Sequence, residues 1–256
     1  MCHMKNQEES TLRICRLGRV AYDEALDLQL QLVELRQQDL IQDTILLLEH
    51  PPVITLGTRG KMEHIYREPR QLAADGVTIH KVGRGGDVTY HGPGQLVVYP
   101  IVKLYNRPGG IREFIETLEQ AVISWLAEQY GLKPYTGHGK LTGIWIDDAK
   151  IMAVGLAVKQ GVTMHGLALN LLTDLTPFSW INPCGLMKPV TSLHLLTQRQ
   201  VDFRQAQDEL AIRFADGLGE VFEWIERADL VDQAASLRRQ LLSQKAHPAG
   251  SDQRGE

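Results

Sequence analysis

A long amphipathic helix is predicted over residues 111–130, between two groups of strand-like segments. Its apolar residues recur at the helical period until Gly131 ends the pattern; they are Ile111, Phe114, Ile115, Leu118, Val122, Trp125 and Leu126. The segments before it with strand patterns are 44–49, 53–56, 77–82 and 95–102, and those after it are 143–146, 150–158 and 162–171. Because strands and helices do not alternate strictly, we expect an α+β fold with a mixed or antiparallel sheet flanked by helices.

The two ends of the chain are predicted to be mainly helical or loose. Residues 22–40 form a predicted buried helix, and residues 1–10 are polar. Beyond residue 200 a helical pattern includes Leu210, Phe214, Leu218, Phe222 and Ile225. We therefore expect one domain over residues 1–230, followed over 231–256 by the end of a C-terminal helix and a disordered polar tail from Gln244.

Composition excludes several classes of protein. The 256 residues are 43% hydrophobic with a net charge of -4, so the surface as a whole does not favour nucleic acid. No apolar run approaches the roughly 18 residues of a membrane helix, and the first residues do not resemble a signal peptide, so we expect a cytoplasmic protein that does not bind membranes. The three cysteines predict neither disulfides nor a metal site, and His91 and His165 lack partners at metal-ligand spacing.

The segment 83–94 holds five glycines in twelve residues between two strand patterns. A long hairpin loop is one interpretation. The presence of Arg84, Tyr90 and His91 beside open backbone amides favours a second one, a ligand cradle. The segment matches neither the Walker A pattern nor the dinucleotide fingerprint, so no nucleotide cofactor is expected.

Two residues have the chemistry of acyl transfer, although spacing alone does not bring them together. Cys184 lies between Pro183 and Gly185, which favours an exposed thiol, whereas a lone cysteine is often a small buried hydrophobe. A nucleophilic thiol needs a nearby base or cation. Lys150 follows a predicted turn and, from its position alone, is better explained as a solvated lysine of a hairpin.

Several motifs, in order along more than half of the chain, resemble the lipoyl(octanoyl) transferase family. They are Glu49-His-Pro-Pro52, Arg84-Gly-Gly-Asp-Val-Thr-Tyr-His91 with Gly92-Pro-Gly-Gln95, Gly143-Ile-Trp145, Lys150-Ile151, His165-Gly-Leu-Ala-Leu-Asn170, Asn182-Pro-Cys-Gly185 and Thr191-Ser-Leu193. The resemblance implies a fold similar to the biotin and lipoate protein ligases. It also implies that residues 1–230 are a catalytic acyltransferase domain without a cofactor, acting in protein lipoylation.

The resemblance further implies substrates and site residues. The donor would be octanoyl-acyl carrier protein, and the acceptors would be lysines on the lipoyl domains of 2-oxoacid dehydrogenase E2 subunits and on glycine cleavage H protein. Cys184 matches the acyl-thioester cysteine and Lys150 the lysine that activates it. The residues matching the substrate-binding stretches are Arg84, Gly85, Gly86, Asp87, Val88, Thr89, Tyr90, His91, Ala153, Val154, Gly155, Gly166, Leu167 and Ala168.

Two alternatives remain at this point. An ATP-dependent lipoate-protein ligase would share the implied fold but would not need a nucleophilic cysteine. A non-catalytic protein that binds acyl groups or a carrier protein would hold Cys184 as a passive core residue.

Overall fold

The computed structural model describes residues 11–105, 107–182 and 188–246, apart from the side chains of Lys140 and Ala246. The strands are β1 (Thr11–Arg19), β2 (Thr44–Glu49), β3 (Val53–Leu56), β4 (Thr78–Lys81), β5 (Val88–His91), β6 (Gln95–Ile101), β7 (Tyr135–Gly137), β8 (Gly143–Ile146), β9 (Ala149–Lys159), β10 (Val162–Asn170) and β11 (Val221–Trp224). The helices are α1 (Tyr22–Gln37), α2 (Pro69–Ala74), α3 (Gly110–Tyr130), α4 (Leu193–Thr197), α5 (Phe203–Leu218) and α6 (Arg227–Ala246).

A large mixed sheet organises the chain, in the order β11-β1-β2-β6-β10-β9-β8-β7. The strands β11, β1 and β2 run parallel to one another, whereas the pairs from β2 to β7 are antiparallel. The predicted α+β fold with a mixed sheet flanked by helices is confirmed.

Each face of the large sheet has its own apolar core. Helices α3 and α5 pack on one face, where Trp125 and Phe214 are fully buried. Helices α1 and α6 pack on the other face, against residues such as Leu46 and Tyr99. Side chains alternate along each strand, so residues of opposite parity on β9 and β10 belong to different faces.

A second sheet of three strands, in the order β4-β3-β5, is built from the chain between β2 and β6. The predicted strands at 44–49 and 53–56 are confirmed, but the turn between them separates two sheets. The glycine-rich segment is not wholly a loop, because Val88–His91 forms β5 and pairs antiparallel with β3. Outside β5, the chain between β4 and β6 forms a loop at residues 82–87 and a short turn at residues 92–94.

The predicted helical pattern through Phe222 and Ile225 is wrong. Helix α5 ends at Leu218, and Gly219 follows with φ +70°, a left-handed conformation that glycine adopts without steric cost. The next residues form β11, which pairs with β1 in parallel from Thr11 opposite Val221. This partner lies about 200 residues away in sequence, beyond the reach of a local period.

The last described helix packs against α1 through the core that contains Leu230 and Ala234. The predicted domain boundary at residue 230 falls inside this helix, and α6 reaches Ala246, past the predicted start of the tail at Gln244. Residues 247–256 lie outside the described part of the chain. Among the described helices, none has the length and apolar character needed to cross a membrane.

Candidate active site

The floor of a cavity is formed by β9 and β10, where the side chains are small. Ala153 lies directly opposite Ala168, and Gly155 lies opposite Gly166. These four positions share one face of the sheet, because side chains alternate along a strand. Two methyl groups are thus all that the side chains place over this part of the floor.

The roof is the glycine-rich loop, which Arg84 holds in place. The buried guanidinium donates to Thr55 Oγ1 at 3.0 Å, to the carbonyl oxygens of Thr55 and Asp87 at 2.7 and 2.8 Å, and to Gly85 O at 3.0 Å. The Gly85 N-H donates to Leu156 O at 3.2 Å, so the roof touches β9 at one end of the cavity.

Between roof and floor lies a cavity of about 350 Å³. The sequence-predicted substrate-binding residues that line it are Arg84, Gly85, Gly86, Asp87, Val88, Thr89, His91, Ala153, Val154, Gly155, Gly166, Leu167 and Ala168. Tyr90 does not line it: its side chain is buried and its ring packs edge-on against Phe178, with 5.5 Å between the ring centroids. The structure therefore brings most of the predicted substrate-binding stretches to one cavity.

Lys150 also lines this cavity. Its Nζ donates to Thr142 O at 2.9 Å and lies 4.9 Å from the centre of the Trp145 ring. The backbone at Gly143 has φ +127°, and a Cβ there would lie 2.3 Å from Met152 O and 3.5 Å from Lys150 Cε. Only glycine fits this position, so the Gly143-Ile-Trp145 motif shapes the surroundings of the lysine.

Cys184 lies outside the described residues, but the chain on either side of its segment is described. On the N-terminal side, Asn182 N donates to His64 O at 2.9 Å and Ile181 pairs with Ile65. On the C-terminal side, Lys188 and Val190 line the cavity. The segment containing Cys184 is thus joined on one side to residues of the cavity wall.

The histidine of the glycine-rich motif begins a chain of buried hydrogen bonds. The Gln95 amide donates through Nε2 to Asn170 Oδ1 at 2.9 Å, so its Oε1 accepts from His91 Nδ1 at 2.7 Å. Asn170 Nδ2 in turn donates to Thr191 O at 3.0 Å. Three stretches that are far apart in sequence, around His91 and Gln95, Asn170 and Thr191, therefore meet through these side chains.

His64 connects the roof to the chain that precedes residue 183. Its Nδ1 lies 2.6 Å from Asp87 Oδ1, which also accepts from Val88 N at 2.7 Å. The Asp87 side chain is almost completely buried. The carbonyl oxygen of His64 accepts a hydrogen bond from Asn182 N. His64 therefore contacts both the loop 82–87 and the chain that precedes residue 183.

Burial keeps neutral the histidine and tyrosine side chains at the wall near Arg84 and the histidine packed behind them, His50. His50 Nδ1 donates to Val20 O at 2.7 Å, so its Nε2 accepts from the Tyr99 hydroxyl at 2.8 Å. Burial lowers the pKa of His50 to about 4, that of His91 to about 3 and that of His165 to about 4. Burial also raises the pKa of Tyr22 to about 12. At neutral pH these side chains are uncharged, and Arg84 supplies the cation of this wall.

Several lining residues were absent from the sequence-predicted site; they include Tyr22, Arg59, Gln95, Tyr99, Trp145, Asn170, Lys188 and Val190. Gln95, Trp145 and Asn170 belong to motifs that carried the resemblance, so their positions offered a signal. Tyr22 and Tyr99 offered none, because each follows the apolar pattern of its own helix or strand.

Two other kinds of site find no support among the described residues. No cluster of three or more histidine, cysteine, aspartate or glutamate side chains in this part of the chain could hold a metal ion. Cys15 is buried in the core beside α1, and burial raises the pKa of its thiol to about 11, which makes it a poor nucleophile.

Comparison with known proteins agrees with this arrangement. Residues 21–215 match the family model described as the lipoyl protein ligase A/B catalytic domain. An octanoyltransferase of Caldicellulosiruptor saccharolyticus is 45% identical over 220 residues, covering 86% of this chain and 94% of that protein. The chain belongs to the octanoyltransferase family.

Other relatives of this octanoyltransferase family member support the same assignment. An octanoyltransferase of Chloroflexus aurantiacus is 45% identical over 216 residues, which is 83% of this chain and 94% of that protein. Among solved structures, lipoate-protein ligase A bound with ATP has a TM-score of 0.69 and 17% identity, covering 92% of this chain and 94% of that one. A bipartite lipoate protein ligase from Thermoplasma acidophilum has a TM-score of 0.67 and 17% identity, covering 92% of both chains. At such identity these structures establish the fold, and the predicted likeness to lipoate protein ligases is confirmed.

Proposed function

We propose that this octanoyltransferase family member moves an octanoyl group from the thioester of an acyl carrier protein to a lysine amine on a lipoyl domain. The observation that carries the proposal is the position of Lys150, whose amine lies at a cavity with a floor of alanine and glycine. Lys188 and Val190, which follow the Cys184 segment, line the same cavity. A base, an apolar chain site and a nucleophile are the three parts that acyl transfer through a thioester needs.

The partners follow from relatives and chemistry. Similar proteins are named octanoyltransferases, and one structural neighbour was solved as part of a lipoylation system together with its E2 lipoyl domain. We infer lipoyl domains of 2-oxoacid dehydrogenase E2 subunits and glycine cleavage H protein as acceptors, and an acyl carrier protein as donor. We expect this protein to act on them in the cytoplasm.

In the first step, the Cys184 thiol loses its proton to Lys150 and the thiolate attacks the thioester carbonyl of the donor. A bond forms between Sγ and the acyl carbon, the bond to the carrier's sulfur breaks, and the carrier leaves as a thiol after taking a proton. One thioester replaces another, so this exchange requires no ATP.

In the second step, the acceptor amine attacks the acyl-enzyme. A bond forms between nitrogen and the acyl carbon, and the bond to Cys184 breaks. Lys150 takes a proton from the amine and returns one to the thiolate. The product is an amide, which is more stable than the thioester it replaces.

The alternative of an ATP-dependent ligase draws on the shared fold, since lipoate-protein ligase A with ATP is a structural neighbour. A fold alone does not decide between the two reactions. The loop 82–87 carries neither the Walker A pattern nor the dinucleotide fingerprint, which favours the transferase over the ligase.

Intact-mass measurement after mixing with octanoyl-acyl carrier protein tests the covalent step. We expect one octanoyl adduct on the wild-type protein, none on Cys184→Ala, and an undiminished adduct on the matched variant Cys15→Ala. An adduct that persists in Cys184→Ala would remove Cys184 as the acylated residue. No adduct on the wild-type protein would favour a protein that only binds acyl groups.

A further inference from the structure

We infer that Glu119 is a positioning residue for the reaction: its carboxylate, on the buried face of α3, stabilises Lys150 in the charged form that follows removal of the Cys184 proton. The inference deepens the proposed function and rests on it, because it takes Lys150 as the base. Glu119 belongs to none of the motifs that carried the resemblance, and it does not line the cavity. Its effect on the reaction is therefore exerted through the lysine.

The packing of α3 brings Glu119 to this part of the molecule. Ile115, one helical turn earlier on the same face, lines the cavity together with Lys150. Helix α3 also packs against β8, whose first residue, Gly143, lies against the lysine side chain: a Cβ on this glycine would be 3.5 Å from Lys150 Cε. The helix that carries Glu119 therefore covers the end of the cavity at which the lysine lies.

The surroundings of Glu119 are those of a core residue. It is only 3% exposed, and its Oε1 has no hydrogen-bond partner within the described chain. Val122, one turn later, belongs to the apolar core, to which β8 and α5 contribute Ile144 and Phe214. A carboxylate at such a position costs free energy that an apolar residue would not. This cost favours a role in the reaction over a role in packing.

Two charged groups act on the Glu119 carboxyl. Burial is the largest cause that raises its pKa to about 7; Glu116 on the same helix acts in the same direction, whereas Lys150 on β9 lowers the pKa. Because the interaction of two charges is mutual, ionised Glu119 favours the protonated amine of Lys150 to the same extent. Near neutral pH the carboxyl can therefore become charged when the lysine does.

This coupling acts whenever Lys150 takes a proton. In the first step, transfer of the thiol proton from Cys184 to Lys150 leaves a thiolate and an ammonium, and the Glu119 carboxylate lowers the free energy of that ammonium. In the second step, the lysine becomes charged again when it takes a proton from the acceptor amine. Glu119 forms no bond to either substrate, so its loss should lower kcat and leave KM for the carrier protein near that of the wild type.

Glu119→Gln removes the charge and keeps the size of the side chain. Alkylation of Cys184 by iodoacetamide, followed in the mass of the peptide that contains it, should be roughly tenfold slower at pH 8, the effect of losing one nearby opposite charge. The wild-type rate should also rise through an inflection near pH 7, where Glu119 ionises, and the variant should lack this inflection. Glu119→Asp should recover part of the rate, because it restores a carboxylate.

Glu128→Gln is the matched control, the same change on the same helix at an exposed residue that is bonded to Arg213. It should keep the wild-type rate and pH profile. Urea denaturation at pH 8 separates the assigned role from a purely structural one. Because an ionised Glu119 destabilises the fold, Glu119→Gln should be at least as stable as the wild type while it reacts more slowly. A residue that only packs would change stability without changing the pH profile of alkylation.

A second measurement leaves Glu119 in place. In protein with carbon-13 in its glutamate carboxyls, NMR titration gives the pKa of Glu119, and Glu119→Gln or Glu119→Asp assigns its signal. We expect about 7 in the wild type and a higher value in Lys150→Met, which keeps most of the lysine stem but removes the ammonium that lowers this pKa. If Glu119→Gln does not fold, this titration decides the inference alone.

The outcomes separate this inference from the proposed function. If the Glu119 pKa rises in Lys150→Met and Glu119→Gln slows alkylation, but no octanoyl group is transferred, the coupling of Glu119 to Lys150 stands and the proposed function fails. If transfer proceeds but folded Glu119→Gln keeps the wild-type pH profile, or Lys150→Met leaves the pKa of Glu119 unchanged, the inference is overturned. An equal loss of rate in Glu128→Gln would overturn it as well.

Discussion

Lys150 and Val190 are paired in a parallel β-bridge. Lys150 N donates to Pro189 O at 3.0 Å, and Thr191 N donates to Lys150 O at 2.9 Å. The backbone of the proposed base is thus bonded to the chain that follows the Cys184 segment. Residues 150 and 184 are far apart in sequence, and this bridge gives a physical reason for their proposed cooperation.

Replacement of Lys150 tests its role as the base. Lys150→Ala should lower turnover by about 10²- to 10⁴-fold, the usual loss when a general base is removed, and should slow alkylation of Cys184 near neutral pH. Steady-state transfer and iodoacetamide kinetics measure the two effects.

Lys159→Ala is the matched control, because this exposed lysine lies on the same strand at the opposite end. It should leave both rates near those of the wild type. Equal rates for Lys150→Ala and the wild type would show that Lys150 is only a structural residue of β9.

The buried amide of Asn170 links β10 to Thr191 and to Gln95. Asn170→Ala would leave Gln95 Nε2 and Thr191 O each without this partner, at a cost of about 1–3 kcal/mol in the free energy of unfolding. Urea denaturation measures this loss. Gln37→Ala, which removes an exposed amide bonded to Lys159 O, should change stability by less than about 0.5 kcal/mol. A similar small change in both variants would contradict the assigned importance of the network.

The contact between His64 and Asp87 should matter for acyl-enzyme formation. His64→Ala removes the partner of a buried carboxylate and loosens the roof where it meets the chain before residue 183. We expect a several-fold lower rate of adduct formation in rapid-quench mass measurements, with partial recovery in His64→Asn. His80→Ala removes a comparable histidine–aspartate contact, with Asp23 at 3.0 Å, and should have no such effect. If all three variants form the adduct at the wild-type rate, the contact between His64 and Asp87 does not affect acyl-enzyme formation.

The buried histidines predict a loss of stability in acid. His50, His91 and His165 have folded pKa values lowered by burial to about 4, 3 and 4, from 6.5 when unfolded. Their contribution to the free energy of unfolding is complete above pH 6.5. It is lost as the pH falls toward 4, because the unfolded chain then binds more protons than the folded one. Between the folded and unfolded pKa values, each histidine should lower the free energy of unfolding by up to roughly 1.4 kcal/mol per pH unit.

Glu119 acts in the opposite direction. Burial raises its folded pKa to about 7. Its contribution to the free energy of unfolding is therefore complete below pH 4.5 and is lost as the pH rises through 7. Burial also raises the pKa of Glu220, which acts in the same direction as Glu119. Three histidines oppose these two carboxyls, so the free energy of unfolding should fall from pH 6.5 to 4, and Glu119→Gln should make that fall steeper. Denaturant titrations at a series of pH values measure both slopes. A flat profile in the wild type would be inconsistent with neutral buried histidines.

Local sequence patterns were sufficient for many elements but not for long-range pairing. The helix over 111–130 follows a clear apolar period, and the structure has α3 at Gly110–Tyr130. Phe222 has the same kind of side chain at a helical spacing, yet it lies in β11 because β1 offers an edge on which to pair. No local period reports such a partner.

In the candidate site, too, sequence motifs identified individual residues but not the contacts that depend on long-range strand pairing. Arg84 and Lys150 could be named from motifs, and both line the cavity. The chain of hydrogen bonds from His91 to Thr191 could not be foreseen, since it depends on the register of β6 against β10. Tyr90 was included because it lies within a motif, but strand alternation turns its side chain away toward Phe178.

The most direct measurement of the central claim is transfer to an apo lipoyl domain in the absence of nucleotide and magnesium. Purified protein with octanoyl-acyl carrier protein should produce the octanoylated domain, because the donor thioester already holds the energy for the amide bond. Free octanoate with ATP and magnesium should produce none. Product that appears only with free octanoate, ATP and magnesium, and that persists in Cys184→Ala, would contradict the account and make the protein a ligase.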